Sequence, residues 1–290
     1  RRLSWHALLT ATAGQLPATA LSSDKGLPKS CRNASTCGNV LPLAPSNCSG
    51  GNQHLRPCWA SSTPMYKFGC SRSHGEEAYA LHAFFGGRQK RLKRGGFFLE
   101  IGAYDGRWAS NTFHLERCLG WRGLLVEGHP STFAALRQNR PSALALGVAA
   151  CRAHGITNYS QTPSVTSGMT ASLGQDHAFR YQSAAHAIPV PCGPLGDWLG
   201  LLQVEHIDLF VLDVENSELL VLQTIDFDRV HIDVLLVECG GLMKSDHGCT
   251  GPTSEAIAKH LATKRLRRHG AFRARHDVWD VVFVHEDFVF

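Results

Sequence analysis

No stretch of this 290-residue chain approaches the roughly 20 consecutive apolar residues of a membrane-spanning helix, so no span is expected within it. C-x2-C pairs and an H-E-x-x-H motif are also missing, which removes zinc-finger and zincin readings of the 10 cysteines and 16 histidines. No nucleophile elbow is present, so a serine-based hydrolase is not indicated. The excess of one charge over the other is small: the net charge is +5, and no recognised motif gathers the basic residues, so no nucleic acid partner is expected. What remains is 43% hydrophobic and 18% charged, an ordinary globular balance that can build one α/β domain of about 200 residues with an appendage.

The informative stretch runs from Gly95 to Glu127, GGFFLEIGAYDGRWASNTFHLERCLGWRGLLVE. Phe97 to Ile101 is apolar, glycine-flanked and too short for a helix, which predicts a buried parallel strand. A turn follows, Glu100-Ile101-Gly102-Ala103-Tyr104-Asp105-Gly106, then a helix-compatible segment from Ser110 to Leu119. A second apolar run, Gly123 to Val126, ends on Glu127. Strand, glycine turn, helix, strand and acid make the first half of a nucleotide-binding α/β sheet. Gly102 and Gly106 would let a ligand approach the backbone, and Glu127 would accept hydrogen bonds from ribose hydroxyls.

The glycine pattern is E-x-G-x-x-x-G rather than G-x-G-x-x-G, and no Lys-Ser/Thr follows it, so neither a dinucleotide fingerprint nor a P-loop is present. Carboxylates beside the turn would repel pyrophosphate and welcome the ammonium and sulfonium of S-adenosylmethionine. The turn therefore favours that cofactor over NAD.

LEIGAYDG, SNT at 110–112 and LGWRGLLVEGHPSTFAALRQNRP resemble the FkbM family of S-adenosylmethionine-dependent methyltransferases. A second block, IDLFVLDVENSELLVLQTIDFDRVHIDVLLVE from Ile207 to Glu238, strengthens the resemblance, which covers about residues 95–290. Asn216 stands where the family usually has Gly, a position that Asn tolerates better than most residues. The resemblance implies a doubly wound, mainly parallel seven-stranded Rossmann-like sheet over residues 73–290. It also implies a methyl transfer to a hydroxyl of a small molecule or sugar.

Along the rest of the chain, residues 1–72 read as a loop-rich extension with Cys31, Cys37, Cys48, Cys58 and Cys70, for which disulfides are the sharper reading. The chain begins at Arg, so a removed signal or anchor, a trimmed chain or a transit peptide all stay open. Sequons at Asn33, Asn47 and Asn158 point with the cysteines to the secretory-pathway lumen, with cytoplasm or plastid as the alternative. A helix is expected after Gly75, with Ala78, Leu81, His82 and Phe85 on one face. The basic run Arg88 to Arg94 then reads as a solvated end, or less favourably as a recruiting patch. Pro130 to Asn139 is the next helix, and Ala143 to Ala149 the third strand, its end beside the adenine. Cys151 to Pro194 is a long functional loop, with Ser167-Gly168-Met169 near the mouth. Gly196 to Leu202 is a short helix. Asp208 to Leu212 and Asp233 to Val237 are strands ending in Asp213-Val214-Glu215 and Glu238. Thr253 to Arg268 is a helix with a basic last turn, and Phe272 to Arg275 with Asp280 to His285 close the sheet.

The cofactor set is then Glu100, Gly102, Ala103, Tyr104, Asp105, Gly106, Asn111, Glu127, Gly128 and Ala149. Tyr104 or Trp108 would offer a ring face to the sulfonium. Asp213, Glu215 and Glu238 converge as catalytic candidates, Asp213 first as general base; the same trio would alternatively hold a divalent cation, although no metal ligand is assigned. His129, directly after the Glu127 tip, is the histidine to watch. Rival readings are an NAD-dependent oxidoreductase, or a non-catalytic binding protein on a methyltransferase scaffold. The acceptor and the oligomeric state are not legible.

Overall fold

A computed structural model of the chain describes residues 75–86, 92–160, 164–173, 187–239, 249, 251–274 and 277–290. The expectations for residues 1–72, including the five early cysteines, Asn33 and Asn47, lie outside the described residues.

Helix α1 is Glu76–Phe84, followed by β1 (Phe97–Ile101), α2 (Phe113–Leu119), β2 (Arg122–Val126), α3 (Pro130–Asn139) and β3 (Leu144–Leu146). Then come β4 (Ala149–Ala150), β5 (Gly155–Ser160), β6 (Ala187–Gly193), α4 (Leu195–Leu201) and β7 (His206–Leu212). The chain closes with α5 (Glu218–Leu222), β8 (His231–Glu238), α6 (Pro252–Ala262), β9 (Leu266–Ala274) and β10 (Asp277–His285). The main sheet has seven strands in the order β3-β2-β1-β7-β8-β10-β9. Its first five strands pair in parallel; β10 is antiparallel to both β8 and β9. The expected seven-stranded doubly wound sheet is what the chain forms.

Both faces of that sheet are covered, which is why its strands read as apolar runs rather than alternating ones. Leu99, Ile101, Phe210, Leu212, Leu235 and Val237 face one layer with Leu199 of α4, Leu222 of α5 and Leu261 of α6. Phe98, Leu125, Leu209, Val211, Val234 and Leu236 face the other, with Leu81 of α1, Leu115 of α2 and Leu136 of α3. Alternate residues of one strand go to opposite layers, so a one-residue slip would exchange both cores.

Several elements differ from expectation. Around α1, Leu81 and Phe85 are buried as expected, but His82 is exposed and Phe84 takes its place on the buried side. Of the basic run, Lys93 pairs with Asp208, and Arg94 donates to the Cys118 carbonyl at 3.2 Å; both serve the fold. The third strand stops at Leu146. Ala149 and Ala150 belong to a separate three-stranded sheet, β4-β6-β5. A Cβ at Gly147 would lie 2.7 Å from the Phe133 ring, so the chain passes that ring where only glycine fits. Part of the stretch expected as a long loop is therefore sheet, with β5 antiparallel to β6 and a Cys151–Cys192 disulfide. The last helix ends at Ala262 rather than Arg268: Arg265 takes a positive φ of 62°, and Leu266 begins a strand. The basic residues 265, 267 and 268 thus belong to a turn and an edge strand, where Arg265 and Arg267 pair with Glu286.

Candidate active site

The glycine turn after β1 is braced from below by Glu100. This buried carboxylate accepts from the Asn111 N–H at 2.7 Å, the Ser110 hydroxyl at 2.9 Å and the Thr112 hydroxyl at 2.5 Å. Burial raises its pKa, against the lowering effect of Arg140 and these three donors. Its oxygens are committed to the loop that opens α2, so Glu100 positions the turn rather than presenting a carboxylate to the cofactor.

Arg140, which the sequence did not single out, ties the same region together. Its fully buried guanidinium donates to Glu116 Oε2 at 2.6 Å, the Gly106 carbonyl at 3.0 Å, Ser110 Oγ at 3.1 Å and Thr112 at 3.2–3.3 Å. A Cβ on Gly106 would lie 2.7 Å from the Arg140 side chain, so this glycine makes room for the arginine. The only sequence signal was an Arg at the end of a helix, just before Pro141.

Gly102 is required for a different reason from the one expected. It has φ +83°, and a Cβ there would sit 1.7 Å from the backbone oxygen of Asp213, because the tips of β1 and β7 meet at this point. Close strand packing, not ligand approach, demands the glycine. Ala103 is packed in the core layer beneath α2, with its N–H on the Val126 carbonyl at 3.1 Å, so its side chain is turned from the site. Asp105 caps its own turn by accepting from the Arg107 and Trp108 N–H groups at 2.9 and 2.6 Å.

Glu127 sits where expected, at the tip of β2, and is buried. Oε2 accepts from Tyr104 N–H at 2.9 Å; Oε1 accepts from His129 N–H at 2.7 Å and the Thr132 hydroxyl at 3.0 Å. A carboxylate offers about four lone-pair sites, of which these donors take three. Burial pushes Glu127 up to about 7, the three donors opposing the shift. His129 caps α3, its Nδ1 accepting from Ser131 N–H at 3.3 Å, which makes it a helix cap.

A narrow cleft opens at the carboxyl ends of these strands, lined by Gly102, Val126, Gly128, Ala149, Tyr159 and Ser217 among others. This is the crevice at which ligands bind in doubly wound sheets. Three expected cofactor residues, Gly102, Gly128 and Ala149, reach it; Glu100, Ala103, Tyr104, Asp105, Gly106, Asn111 and Glu127 lie beyond its lining, as does Trp108. Met169 lines it, as its expected place near the mouth requires, with Tyr159 and Ser217 as unforeseen neighbours. The Tyr159 ring lies under Gly128, where a Cβ would come within 2.7 Å of it. A β-rich segment, ITNYS, was the available signal for β5.

Beside the cleft stand Asp213, Glu215 and Glu238, whose carboxylate oxygens lie within 4.8 Å of one another. The parallel register Leu212↔Val237 brings the first and last of these side by side. Glu238 hydrogen-bonds to Asp213, while Asp213 Oδ1 is buried without a partner. Burial and the neighbouring acids, Glu215 foremost for Asp213, raise both carboxyls well above their ordinary values. Asp280 adds to this field from β10, directly opposite Glu238 in register. An acid inside the apolar run VWDVVFV was its sequence mark.

The turn carrying Glu215 survives the change from Gly to Asn: Glu215 and Asn216 have φ of 50° and 73°. Glu218 closes it by accepting from Val214 and Asn216 N–H at 3.3 and 3.2 Å.

Among solved structures, fibrillarin from Aeropyrum pernix, in complex with S-adenosyl-L-methionine, is 15% identical over 66% of this chain and 67% of its own, with a TM-score of 0.38. A TehB-like S-adenosylmethionine-dependent methyltransferase from Corynebacterium glutamicum is 14% identical over 70% and 88%, with a TM-score of 0.37. The human methyltransferase 10 domain containing protein is 12% identical over 73% and 83%, with a TM-score of 0.41. Likeness this distant assigns no role to any residue. A search of curated proteins finds no match. The sequence model of the methyltransferase FkbM domain, by contrast, matches residues 100–270, more than half of the chain. This protein belongs to the FkbM family of S-adenosylmethionine-dependent methyltransferases.

Proposed function

We propose that the chain methylates a hydroxyl oxygen of a small molecule or sugar, with Asp213 as the general base. The observation that carries this reading is the buried, unpartnered Oδ1 of Asp213 beside the cleft, where burial first and the neighbouring Glu215 second hold its proton affinity high.

The residues present fit an S-adenosyl ligand. Val126, Val148, Ala149 and Ala150 give the cleft an apolar wall suited to a purine, and Ser217 on its lining has a buried hydroxyl with no partner. Glu127, whose donors take three of about four lone-pair sites, suits one ribose hydroxyl. When bound, the cofactor supplies an electrophilic methyl group on a sulfonium. The chain's part is to hold the acceptor hydroxyl in line and take its proton on Asp213 as the oxygen–carbon bond forms and the sulfur–carbon bond breaks. Glu238, hydrogen-bonded to Asp213, can share that proton.

The trio's spacing also favours a second version, in which Asp213, Glu215 and Glu238 hold a divalent cation through hard oxygen ligands and the cation polarises the acceptor. Turnover to S-adenosylhomocysteine against a panel of hydroxyl, amine and carbon acceptors, with and without magnesium or manganese, tests both. Turnover only with amine or carbon acceptors overturns the oxygen assignment, and a rate unchanged by cation and chelator overturns the metal version.

Residence in an oxidising lumen follows from the same reading of the chain. It is supported by the Cys151–Cys192 and Cys239–Cys249 disulfides and by the exposed Asn158 of the third sequon. Thiol labelling of the unreduced protein that modifies these cysteines would overturn it.

A further inference from the structure

The end of the sheet opposite the cleft carries a second group of ligating side chains that the methyl transfer does not use. His206 opens β7 and His231 opens β8, and the two are paired directly in the parallel register. Their rings stack, with centroids 5.4 Å apart and planes 27° from parallel. Asp233 lies two residues beyond His231 on the same strand, hence on the same face of the sheet. Its Oδ2 is 3.1 Å from His206 Nε2 and its Oδ1 is 3.0 Å from His231 Nε2. One nitrogen or oxygen from each residue falls within 4.8 Å of the others.

We propose that His206, His231 and Asp233 form a site for a divalent transition metal such as zinc. Zinc takes imidazole nitrogen and carboxylate oxygen at about 2.0–2.2 Å, which sets tetrahedral ligands about 3.3 Å apart, close to the two histidine–Asp233 separations of 3.1 and 3.0 Å. The ligands need not be gathered from loops: they stand at registered positions of two hydrogen-bonded strands, which fixes their backbones. The side chains of the histidines are 50% and 40% exposed and that of Asp233 is 9% exposed, so an ion can enter from solvent onto a carboxylate that is already oriented. His285 on β10 stands next to the group, its ring centroid 4.2 Å from that of His231, and would bring a third imidazole as the fourth ligand. Without it, three protein ligands leave a position for water.

The site is separate from the carboxylate trio. Asp233 and Glu238 are five positions apart on β8, about 17 Å of extended chain. The two also differ in chemistry. Nitrogen-containing ligands select zinc and its neighbours, whereas an all-oxygen trio selects magnesium, calcium or manganese. A metal at His206 and His231 would clip the starts of β7 and β8 together and stabilise the folded chain in proportion to its occupancy.

The test titrates the chelator-stripped full chain with zinc chloride by calorimetry, and follows thermal unfolding with and without zinc. The comparison is with His206→Gln/His231→Gln, which keeps an N–H donor to Asp233 but removes both imidazoles. The wild type should bind zinc and melt at a higher temperature with it. The variant should lose at least about 100-fold in zinc affinity, the upper end of what outer-shell changes cost. Its melting temperature should not respond to zinc, and its methyl-transfer activity should be intact. Should the double variant fail to fold, His206→Gln alone, at the more exposed position, is expected to weaken zinc at least tenfold. Equal zinc affinity in wild type and variant, no zinc uptake by the wild type, or ready displacement of zinc by magnesium would each overturn the proposal. Asp213→Asn should leave zinc binding unchanged; if it abolishes it, the ion sits in the trio instead.

Discussion

Asp213 and Glu238 hydrogen-bond to each other at the carboxyl ends of two neighbouring parallel strands, and one oxygen of Asp213 is left buried without a partner. Two carboxyls held this way share a proton, and the pair takes up a second charge only at raised pH. Asp213→Asn keeps the shape and removes the base. Its expected effect is a loss of about 10²–10⁴-fold in the rate at saturation, with S-adenosylmethionine affinity nearly intact. Calorimetric titration together with steady-state rates checks both parts. A fall in affinity with an unchanged saturated rate would move Asp213 into the cofactor shell.

The wild-type rate should rise with pH through the range in which the Asp213–Glu238 pair loses its shared proton, because the base form is the working one. Glu238→Gln, which removes one member of the pair, should move this rise to lower pH. A profile unaffected by that substitution would show that the pair does not set it.

Stability should run the other way. Burial pushes Glu127 from its ordinary 4.5 up to about 7, so folding favours the protonated carboxyl. That contribution is complete below about 4.5 and is lost as pH rises through about 7. The loss is about 3 kcal/mol, since each pH unit across that interval is worth about 1.4 kcal/mol. Glu218, also pushed up to about 7, and the raised Asp213 and Glu238 act in the same direction. Urea unfolding should therefore show a lower free energy at pH 8 than at pH 5, and Glu127→Gln should flatten the difference. A wild-type stability that rises over this interval would contradict the buried-carboxyl account.

Arg140→Ala should cost about 3–5 kcal/mol, the usual penalty for leaving a buried charge without its partner. Glu116 loses its ion pair and Gly106, Ser110 and Thr112 lose their donor at once. Because those residues shape the glycine turn, cofactor affinity should fall with stability. Arg140→Lys should recover only part of either, since an ammonium cannot serve these partners from a planar fork. Denaturant midpoints within error of wild type would refute the bracing role.

A chain beginning at Ser73 should fold and bind cofactor, whereas one beginning at Leu92 should not. The difference is Glu77 of α1, whose Oε1 accepts from the first N–H groups of α2, His114 at 2.8 Å and Leu115 at 3.1 Å. Thr112, at the N-cap of α2, makes no side-chain capping bond of its own. Solubility and calorimetric binding of the two truncations decide it; equal behaviour would show that α1 is dispensable.

The sequence by itself determined the sheet and the address of the site. Buried parallel strands are short apolar runs bounded by glycine and acid, so Phe97–Ile101, Arg122–Val126, His206–Leu212 and His231–Glu238 were visible to within a few residues, and their terminal carboxylates with them. Local chemistry carries that much because strand propensity and the acid at a strand tip are both properties of a few adjacent residues. Only the tertiary structure decided what each residue is for. Gly102 is set by the Asp213 carbonyl from a distant strand, Gly106 by Arg140, and Glu100 by a loop that folds back over it. The fate of Lys264 to Arg268, turn and edge strand rather than helix end, depended on β10 being there to pair with β9. The pairing of His206 with His231 exists only once β7 and β8 are in register. Contacts between distant positions are fixed by the packing of whole elements, and no window of neighbouring residues contains them.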